Sequence, residues 1–338
     1  MTKMIPVKNT EIINQLSLID SDLLLIVVDT YVYNTYKNIL KFENLKKKYH
    51  IWSTPQGENV KNLKQYESCI NFFLEKGIHR NAHLIAIGGG AISDFAGFVA
   101  STVLRGIKWS VVPTTLLSFV DASIGGKVGL NTNTAKNQIG AFHQPENSIN
   151  CFELIESLPE LEMMSGKGEI LKYFFLSKKI QKLILKKDNL NNIISACSEY
   201  KLEIVENDFK EEGKRKILNL GHTFGHCFEK IYNLSHGVSV IWGMFFLFLL
   251  FEQNENIKDL NVAIKNLDLS FEESPWFKKT FPTEQVFNLL IKDKKITSNE
   301  SIELIVIKDK KVVIKQYKLD QLKKMVETKA VELSEKKI

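Results

Sequence analysis

Hydrophobic positions in this chain follow two patterns, and the change between them falls near residue 150. In the first part, short apolar runs alternate with longer stretches of helical spacing. Asp22–Asp29 (DLLLIVVD) is a β-branched apolar run ending in an acid, the pattern of a strand buried in a parallel sheet. Tyr31–Leu45 has helical spacing, and His50–Thr54 is a short strand candidate followed by a turn at Pro55-Gln56-Gly57-Glu58. Val60–Lys76 reads as a helix with Leu63, Cys69, Phe72, Phe73 and Leu74 inward, closed by Gly77. His83–Ile87 is the next strand, Gly88–Gly90 turn the chain, and Ile92–Leu104 is a helix of small residues suited to close packing. Trp109–Val112 returns as a strand. Strand and helix alternate, which predicts an α/β, Rossmann-like domain with a parallel sheet over residues 1–150.

Beyond a boundary at Asn147–Phe152 helical patterns follow one another: Gly166–Leu185, Leu190–Asn207, Lys214–Ile231, Val238–Gln253 and Glu255–Asn266. A hairpin, Ser301–Ile307 with Lys311–Tyr317, and a closing helix, Val326–Lys336, complete a mainly α-helical domain over residues 151–338. The most apolar run, Val238–Phe251, is shorter than the ~20 residues a bilayer span needs and reads as a buried helix, so no membrane partner is expected.

Composition narrows the function by exclusion. The chain has 338 residues, 44% of them hydrophobic and 25% charged, which is ordinary for a globular protein. The net charge of +6 is spread along the chain without the clustering that tracking a nucleic-acid backbone needs. The four cysteines (Cys69, Cys151, Cys197, Cys227) lie far apart and form no CxxC, and the N-terminal residues lack a signal-peptide core, which together predict a reduced, cytoplasmic setting. Arginine is scarce: Arg80, Arg105 and Arg215 stand among many lysines. An arginine kept in such a background either marks a site that needs a planar, two-pronged donor or is chance.

The densest candidate chemistry lies between Gly88 and Pro145. A glycine triplet between strand and helix either lets backbone N–H groups approach a pyrophosphate or simply satisfies turn geometry. Asp94 is either a partner of the helix dipole or a ligand for a ribose hydroxyl. Asp29, Glu58 and Lys61 are further candidate contacts to ribose or adenine. Thr114 and Thr115 follow Pro113 and offer hydroxyl and backbone donors. Asp121, Lys127, Lys136 and Asn137 are interleaved with Gly125, Gly126 and Gly129, in a segment too apolar for a free surface loop. Farther on, His222 and His226 lie four apart on one helical face, as either a packed pair or two groups aimed at one site. The residues between them exclude the HExxH peptidase pattern. Glu169 with two histidines would be a three-ligand metal set with open positions for a substrate.

GGGAISDFAGFVAS, RGIKWSVVPTTLL, VDASIGGKVGLN, KNQIGAFHQP, SGKGEILKY and LNLGHTFGH together resemble the signature blocks of the 3-dehydroquinate synthase family, in that family's order. The resemblance covers about residues 22–245 well and the last ninety weakly. It implies an NAD-binding Rossmann-like domain, a helical domain carrying a divalent metal (zinc or cobalt), and a homodimer. The implied activity is that of a carbon–oxygen lyase of the shikimate pathway of aromatic amino acid biosynthesis. It converts the sugar phosphate 3-deoxy-D-arabino-heptulosonate 7-phosphate to 3-dehydroquinate and phosphate. Hydride leaves to NAD and returns, so no net redox occurs. By resemblance Glu169, His222 and His236 are the metal ligands. Asp29, Gln56, Gly57, Glu58, Lys61, Gly89, Gly90, Ala91, Ile92, Ser93, Asp94, Thr114, Thr115, Leu117, Leu154 and Ser157 would contact NAD. Lys127, Lys136, Asn137, Asp121 and Arg105 would line the substrate's phosphate end, Lys127 and Lys136 also touching the cofactor and Arg105 reaching in from a partner subunit. Lys172, Lys201, Arg215, Asn219 and His226 would hold its carboxylate and hydroxyls. Lys294 or Lys295 matches a late family lysine loosely.

The chain departs from the family pattern at four places. Gly237-Val238 stands where Gly-Glu usually follows the last histidine, Ser93 replaces a glycine, Ala122 replaces a serine, and the spacing from His222 to His236 is short. The readings that compete are a sister cyclase making an aminocyclitol precursor or a valiolone, a metal- and NAD-dependent polyol dehydrogenase, and a catalytically inactive binding protein.

Overall fold

The computed structural model describes residues 2–271, 273–291, 296–297 and 301–335. They form two compact units, one of residues 1–159 with 201–210, the other of residues 160–200 with 211–338.

The first unit is built on six parallel strands: β1 (Lys3–Pro6), β2 (Leu23–Asp29), β3 (Lys48–Thr54), β4 (His83–Gly88), β5 (Lys108–Pro113) and β8 (Asn147–Asn150). Their order across the sheet is β1-β8-β5-β4-β2-β3. A two-stranded antiparallel ribbon, β6 (Lys127–Leu130) with β7 (Ile139–Phe142), lies between β5 and β8 in the chain. The helices are α1 (Ile12–Ser17), α2 (Thr30–Thr35), α3 (Leu63–Glu75) and α4 (Gly90–Thr102). All seven side chains of β2 are buried, and they divide by the two-residue period of a strand. Leu23, Leu25 and Val27 pack with Phe73, Phe95 and Val99 on one face, and Leu24, Ile26 and Val28 with Ile12, Leu16 and Val32 on the other. The strand order reverses direction between β2 and β4. In doubly wound sheets a ligand is received at the carboxyl ends of the strands at this point. Asp29 and Gly88 end those two strands here.

The second unit carries α5 (Glu160–Leu176), α6 (Lys178–Leu185), most of α7 (Leu190–Asn207), α8 (His222–Tyr232), α9 (His236–Leu250), α10 (Asn254–Asn266) and α11 (Thr283–Ile291), then the strands β9 (Ile296–Thr297), β10 (Ser301–Lys308) and β11 (Lys311–Lys318), and α12 (Leu319–Glu335). Of the 15 residues in α9, 13 are buried, so the most apolar run is a core helix. Among the described residues no helix is long and apolar enough to cross a membrane.

Several predicted helices are shorter or divided. Tyr31–Leu45 is helical only in α2 and in a 3-10 turn at Phe42–Asn44. α3 starts at Leu63 because the Asn62 side chain caps it by accepting from the Gln65 N–H at 3.0 Å, and Leu63 and Leu74 turn out exposed. Gly166–Leu185 is two helices parted at Ser177, whose backbone is extended. Lys214–Ile231 is a 3-10 segment to Asn219, then Gly221 in the left-handed region (φ 79°), then α8. The strands β1 and β8 and the helix α11 had no clear sequence signal. Part of the predicted closing helix, Lys336, lies outside the described residues.

His83 starts β4 almost fully buried (1% exposed), with Nε2 2.8 Å from Ser110 Oγ. Burial pushes its pKa down to about 4, although Glu146 acts the other way. The unfolded chain therefore binds this proton at its ordinary value near 6.5 and the folded chain does not. The stability His83 contributes is full above that value and drains away as pH falls through about 4, an effect of about 3 kcal/mol at ~1.4 kcal/mol per unit. His83→Gln should flatten the fall in urea-unfolding free energy across this window. Parallel pH profiles for the two proteins would assign the acid lability to other groups.

Candidate functional site

The second unit gathers Glu169, Lys172, His222, His226 and His236. Two glycines make this possible. A Cβ on Gly168 of α5 would lie 2.2 Å from the carbonyl oxygen of Gly237, and one on Gly237 would lie 1.7 Å from that of Ser165. The backbones of α5 and α9 therefore touch at a point beside Glu169 and His236. Gly221, left-handed ahead of α8, leaves no room for a side chain against Met244 and the carbonyl of Val240 on α9, which sets His222 as the first residue of α8.

Glu169 is fully buried. Its Oε1 stands 3.2 Å from His222 Nε2 and 3.3 Å from His236 Nε2, yet accepts no hydrogen bond of good geometry. The three ligand atoms lie within 4.8 Å of one another. Tetrahedral zinc with arms of ~2.0–2.1 Å has edges of about 3.3 Å, so two of these separations already suit a shared cation. The other ring nitrogens are occupied. His222 Nδ1 is 3.2 Å from the carbonyl oxygen of Leu220, and His236 Nδ1 is 3.2 Å from Glu229 Oε2. Such outer contacts orient metal-binding imidazoles and select the tautomer whose Nε2 lone pair points inward. A group with one carboxylate and two imidazoles fits a divalent metal of the zinc type.

The electrostatics agree with a cation-seeking cluster. Burial opposes ionisation of Glu169, but Lys172 and His222 hold its pKa well below the usual carboxylate range. Burial lowers the pKa of His222. Burial works in the same direction on His236, but contacts with Glu169 and Glu229 outweigh it and raise the pKa to about 10. Lys172, 1% exposed, makes a short ion pair with Glu169 Oε2. The His226 ring centroid lies 5.5 Å from that of His222 and 5.8 Å from that of His236. Arg215 is buried, and Asn219 Nδ2 donates to Glu211 Oε1 at 2.5 Å. Lys294 and Lys295 lie outside the described residues.

In the first unit, Asp29 caps α2 and accepts from the backbone N–H groups of Tyr31 (2.8 Å), Val32 (3.3 Å) and Gly57 (3.3 Å). It thereby ties the end of β2 to the Gln56–Lys61 loop. Lys61 is 2% exposed and reaches Asp94 Oδ2 at 2.7 Å and Asn137 Oδ1 at 2.6 Å. Burial pushes Asp94 up to about 6 while Lys61 pulls it down. Glu58 accepts from Asn131 Nδ2 at 3.1 Å, and Asn131 Oδ1 accepts from the Asn137 backbone N–H at 2.9 Å. Gly89 caps α4 in extended conformation, and a Cβ there would meet Thr115 at 2.9 Å. Ala91 and Ile92 lie in the first turn of α4. The Thr114 hydroxyl is buried without a hydrogen-bond partner. Leu117 immediately precedes a π-helical turn, Ser118–Ala122. Lys201 donates to the Asp121 carbonyl at 2.6 Å and pairs with its Oδ1 at 2.9 Å. The Leu154 carbonyl accepts from the Tyr36 hydroxyl at 2.7 Å, and Ser157 Oγ contacts the same hydroxyl. Lys127, Lys136 and Arg105 are exposed. An open cavity of about 630 Å³ is lined by Thr30, Tyr31, Trp52, Thr54, Gln56 and Gln65 among others.

Sequence reasoning missed Glu229, Leu220, Glu211 and Asn131, each of which holds a residue it had singled out. Only Glu229 carried a signal, three residues after His226 on the same helical face.

The 3-dehydroquinate synthase N-terminal family matches residues 51–165 and the 3-dehydroquinate synthase C-terminal family matches residues 166–296. The chain belongs to the 3-dehydroquinate synthase family. A 3-dehydroquinate synthase of Staphylococcus aureus (strain JH9) is 34% identical over 296 residues, which cover 83% of this chain and 81% of the relative. Solved structures share the fold. 2-Deoxy-scyllo-inosose synthase, complexed with carbaglucose-6-phosphate, NAD+ and Co2+, has a TM-score of 0.79 at 19% identity over 96% of each chain. 2-epi-5-epi-Valiolone synthase from Streptomyces hygroscopicus, with NAD+ and Zn2+ bound, has a TM-score of 0.79 at 19% identity over 98% of this chain and 97% of that one.

Set against the 3-dehydroquinate synthase pattern, the departures have local explanations. The Ser93 hydroxyl turns inward and donates to the Gly90 carbonyl at 2.9 Å. Ala122 packs against Gly90, where a Cβ would come within 2.7 Å of its own. The short spacing from His222 to His236 is met by a tight turn in which Asn233 is left-handed (φ 52°). Gly168→Ala should separate α5 from α9, lower stability by about 1–3 kcal/mol, and weaken zinc binding measured by competition with a chelating dye. Retained zinc affinity in a folded variant would show that the helix contact does not set the ligand geometry.

Proposed function

We infer that this chain is a 3-dehydroquinate synthase, a carbon–oxygen lyase that converts 3-deoxy-D-arabino-heptulosonate 7-phosphate to 3-dehydroquinate and phosphate. The observation that carries the reading is the buried Glu169 carboxylate facing two inward imidazole nitrogens, within a chain that belongs to this family. Glu169, His222 and His236 would hold a divalent metal, zinc or cobalt, on residues 151–338. Residues 1–150 would hold NAD at the ends of β2 and β4, with Asp29, Lys61, Asp94 and Thr114 toward its polar groups. When bound, the metal lowers the pKa of substrate hydroxyls, and NAD accepts a hydride and gives it back.

The chain's own residues supply positioning and charge. Lys172, Lys201, Arg215, Asn219 and His226 would hold the substrate's carboxylate and hydroxyls, while Lys127, Lys136, Asn137 and Arg105 would line its phosphate. That phosphate, leaving with its C–O bond electrons, can take the adjacent proton itself, so no dedicated carboxylate base is required. The turn bearing Arg105 supports a role beyond its own subunit. Leu104, Arg105 and Gly106 are three successive residues at positive φ (52°, 67° and 106°), an arrangement kept only where surroundings or function demand it. It presents an exposed guanidinium that suits the site of a second copy in a cytoplasmic homodimer.

Zinc-loaded protein given the heptulosonate phosphate and a trace of NAD should release phosphate and form dehydroquinate with no NADH accumulating. NADH build-up would favour a dehydrogenase, and turnover of glucose 6-phosphate or sedoheptulose 7-phosphate instead would favour a sister cyclase. His222→Ala should abolish turnover and leave the circular dichroism spectrum unchanged. Full activity of that variant in metal-free buffer would refute the ligand assignment.

A further inference from the structure

We propose that Glu229 is a positioning residue for the metal centre: its carboxylate fixes the His236 ring and supplies the support that Val238, standing where the family usually has an acid, cannot give. The inference rests on the metal reading above.

The two histidines are held in different ways. The His222 side chain is 9% exposed and that of His236 31% exposed, so packing immobilises the first ring far more than the second. His236 is the first residue of α9, at the end of a helix-to-helix turn. What orients its ring is polar: Nδ1 donates to Glu229 Oε2 at 3.2 Å, which leaves Nε2 facing Glu169 Oε1 at 3.3 Å. The partner of His222 is a neutral carbonyl, whereas the partner of His236 is a carboxylate. An anionic acceptor makes the opposite ring nitrogen a better donor to a metal. The fold brings the two residues together because Asn233, left-handed at the end of α8, reverses the chain within three residues. The last turn of α8 thereby faces the first turn of α9. Val238 is two residues past His236, and its apolar side chain can accept no hydrogen bond.

Zinc affinity of the full chain is measured by competition with a chelating dye for the wild type, Glu229→Ala and Glu229→Gln. Glu229→Ala should bind zinc about 10–100-fold more weakly, the range found when outer partners of metal ligands are removed. Glu229→Gln, nearly isosteric and still an acceptor, should lose less but remain several-fold weaker. The visible bands of the cobalt-loaded protein should change in Glu229→Ala, whatever the loss of its contact with His236 does to the melting temperature of the metal-free protein. A purely structural role would lower that temperature and leave the bands alone. In a His236→Ala background, adding Glu229→Ala should cause no further loss of affinity. If the alanine variant does not fold, the glutamine variant carries the test. Zinc affinities within twofold of the wild type, or additive losses in the double variant, would overturn the assignment of Glu229 alone. A wild-type chain that binds no zinc would overturn the metal reading and this inference with it.

Discussion

The contact of backbone on backbone between Gly168 and Gly237 is the constraint on which the metal cluster rests. Side chains normally hold helices 8–10 Å apart, and neither glycine tolerates even a methyl group here. The close approach places Glu169, next to Gly168, against His236, next to Gly237. The left-handed Gly221 does the same for His222 against Val240 and Met244 of α9. The backbone positions that carry the three ligands are thus set before any attraction between their side chains is considered. That order matters energetically. Burying a carboxylate without compensation costs several kcal/mol, and Lys172 with two imidazoles, brought close by the helix contact, offsets it.

The first unit uses the opposite strategy. Its polar residues are linked through side chains: Lys61 joins Asp94 to Asn137, and Asn131 joins Glu58 to the same asparagine. A buried lysine shared between a carboxylate and an amide can be redistributed when a ligand arrives, because each partner is a rotatable group. Burial raises Asp94 to about 6 while its ion pair with Lys61 pulls the other way, so its charge is set by a neighbour that can itself be drawn elsewhere. Asp29, by contrast, is committed to three backbone N–H groups and acts first as the brace between β2 and the loop after β3.

Those two strategies explain what could be read from the residues alone. The buried strands of the sheet were legible because each is a continuous apolar run, and the alternating order predicted the α/β class. β1 and β8 were not, since KMIP and NSIN are short and mixed and become strands only by pairing, β1 at the sheet's edge and β8 between β1 and β5. Helix breaks at Ser177 and Gly221 were invisible in the spacing, because the apolar pattern continues across them while the backbone does not. Glu169 and the histidines were legible by motif. Their supports were not, because Glu229 and Leu220 touch the rings only after the chain has turned, and neither residue type is distinctive on its own.

The division between backbone-fixed and side-chain-linked groups also bears on specificity. Lys127, Lys136 and Arg105 are exposed, on a two-stranded ribbon, a loop and a left-handed turn. Such segments accept substitution without disturbing a core, whereas Gly168, Gly221 and Gly237 do not. A family that changes its sugar phosphate while keeping its chemistry would vary the loops and conserve the helix contacts. On the reading proposed above, selectivity for one heptulosonate over a hexose phosphate is a matter of where the exposed cations stand, and Glu169, His222 and His236 would set the reaction type without choosing the sugar.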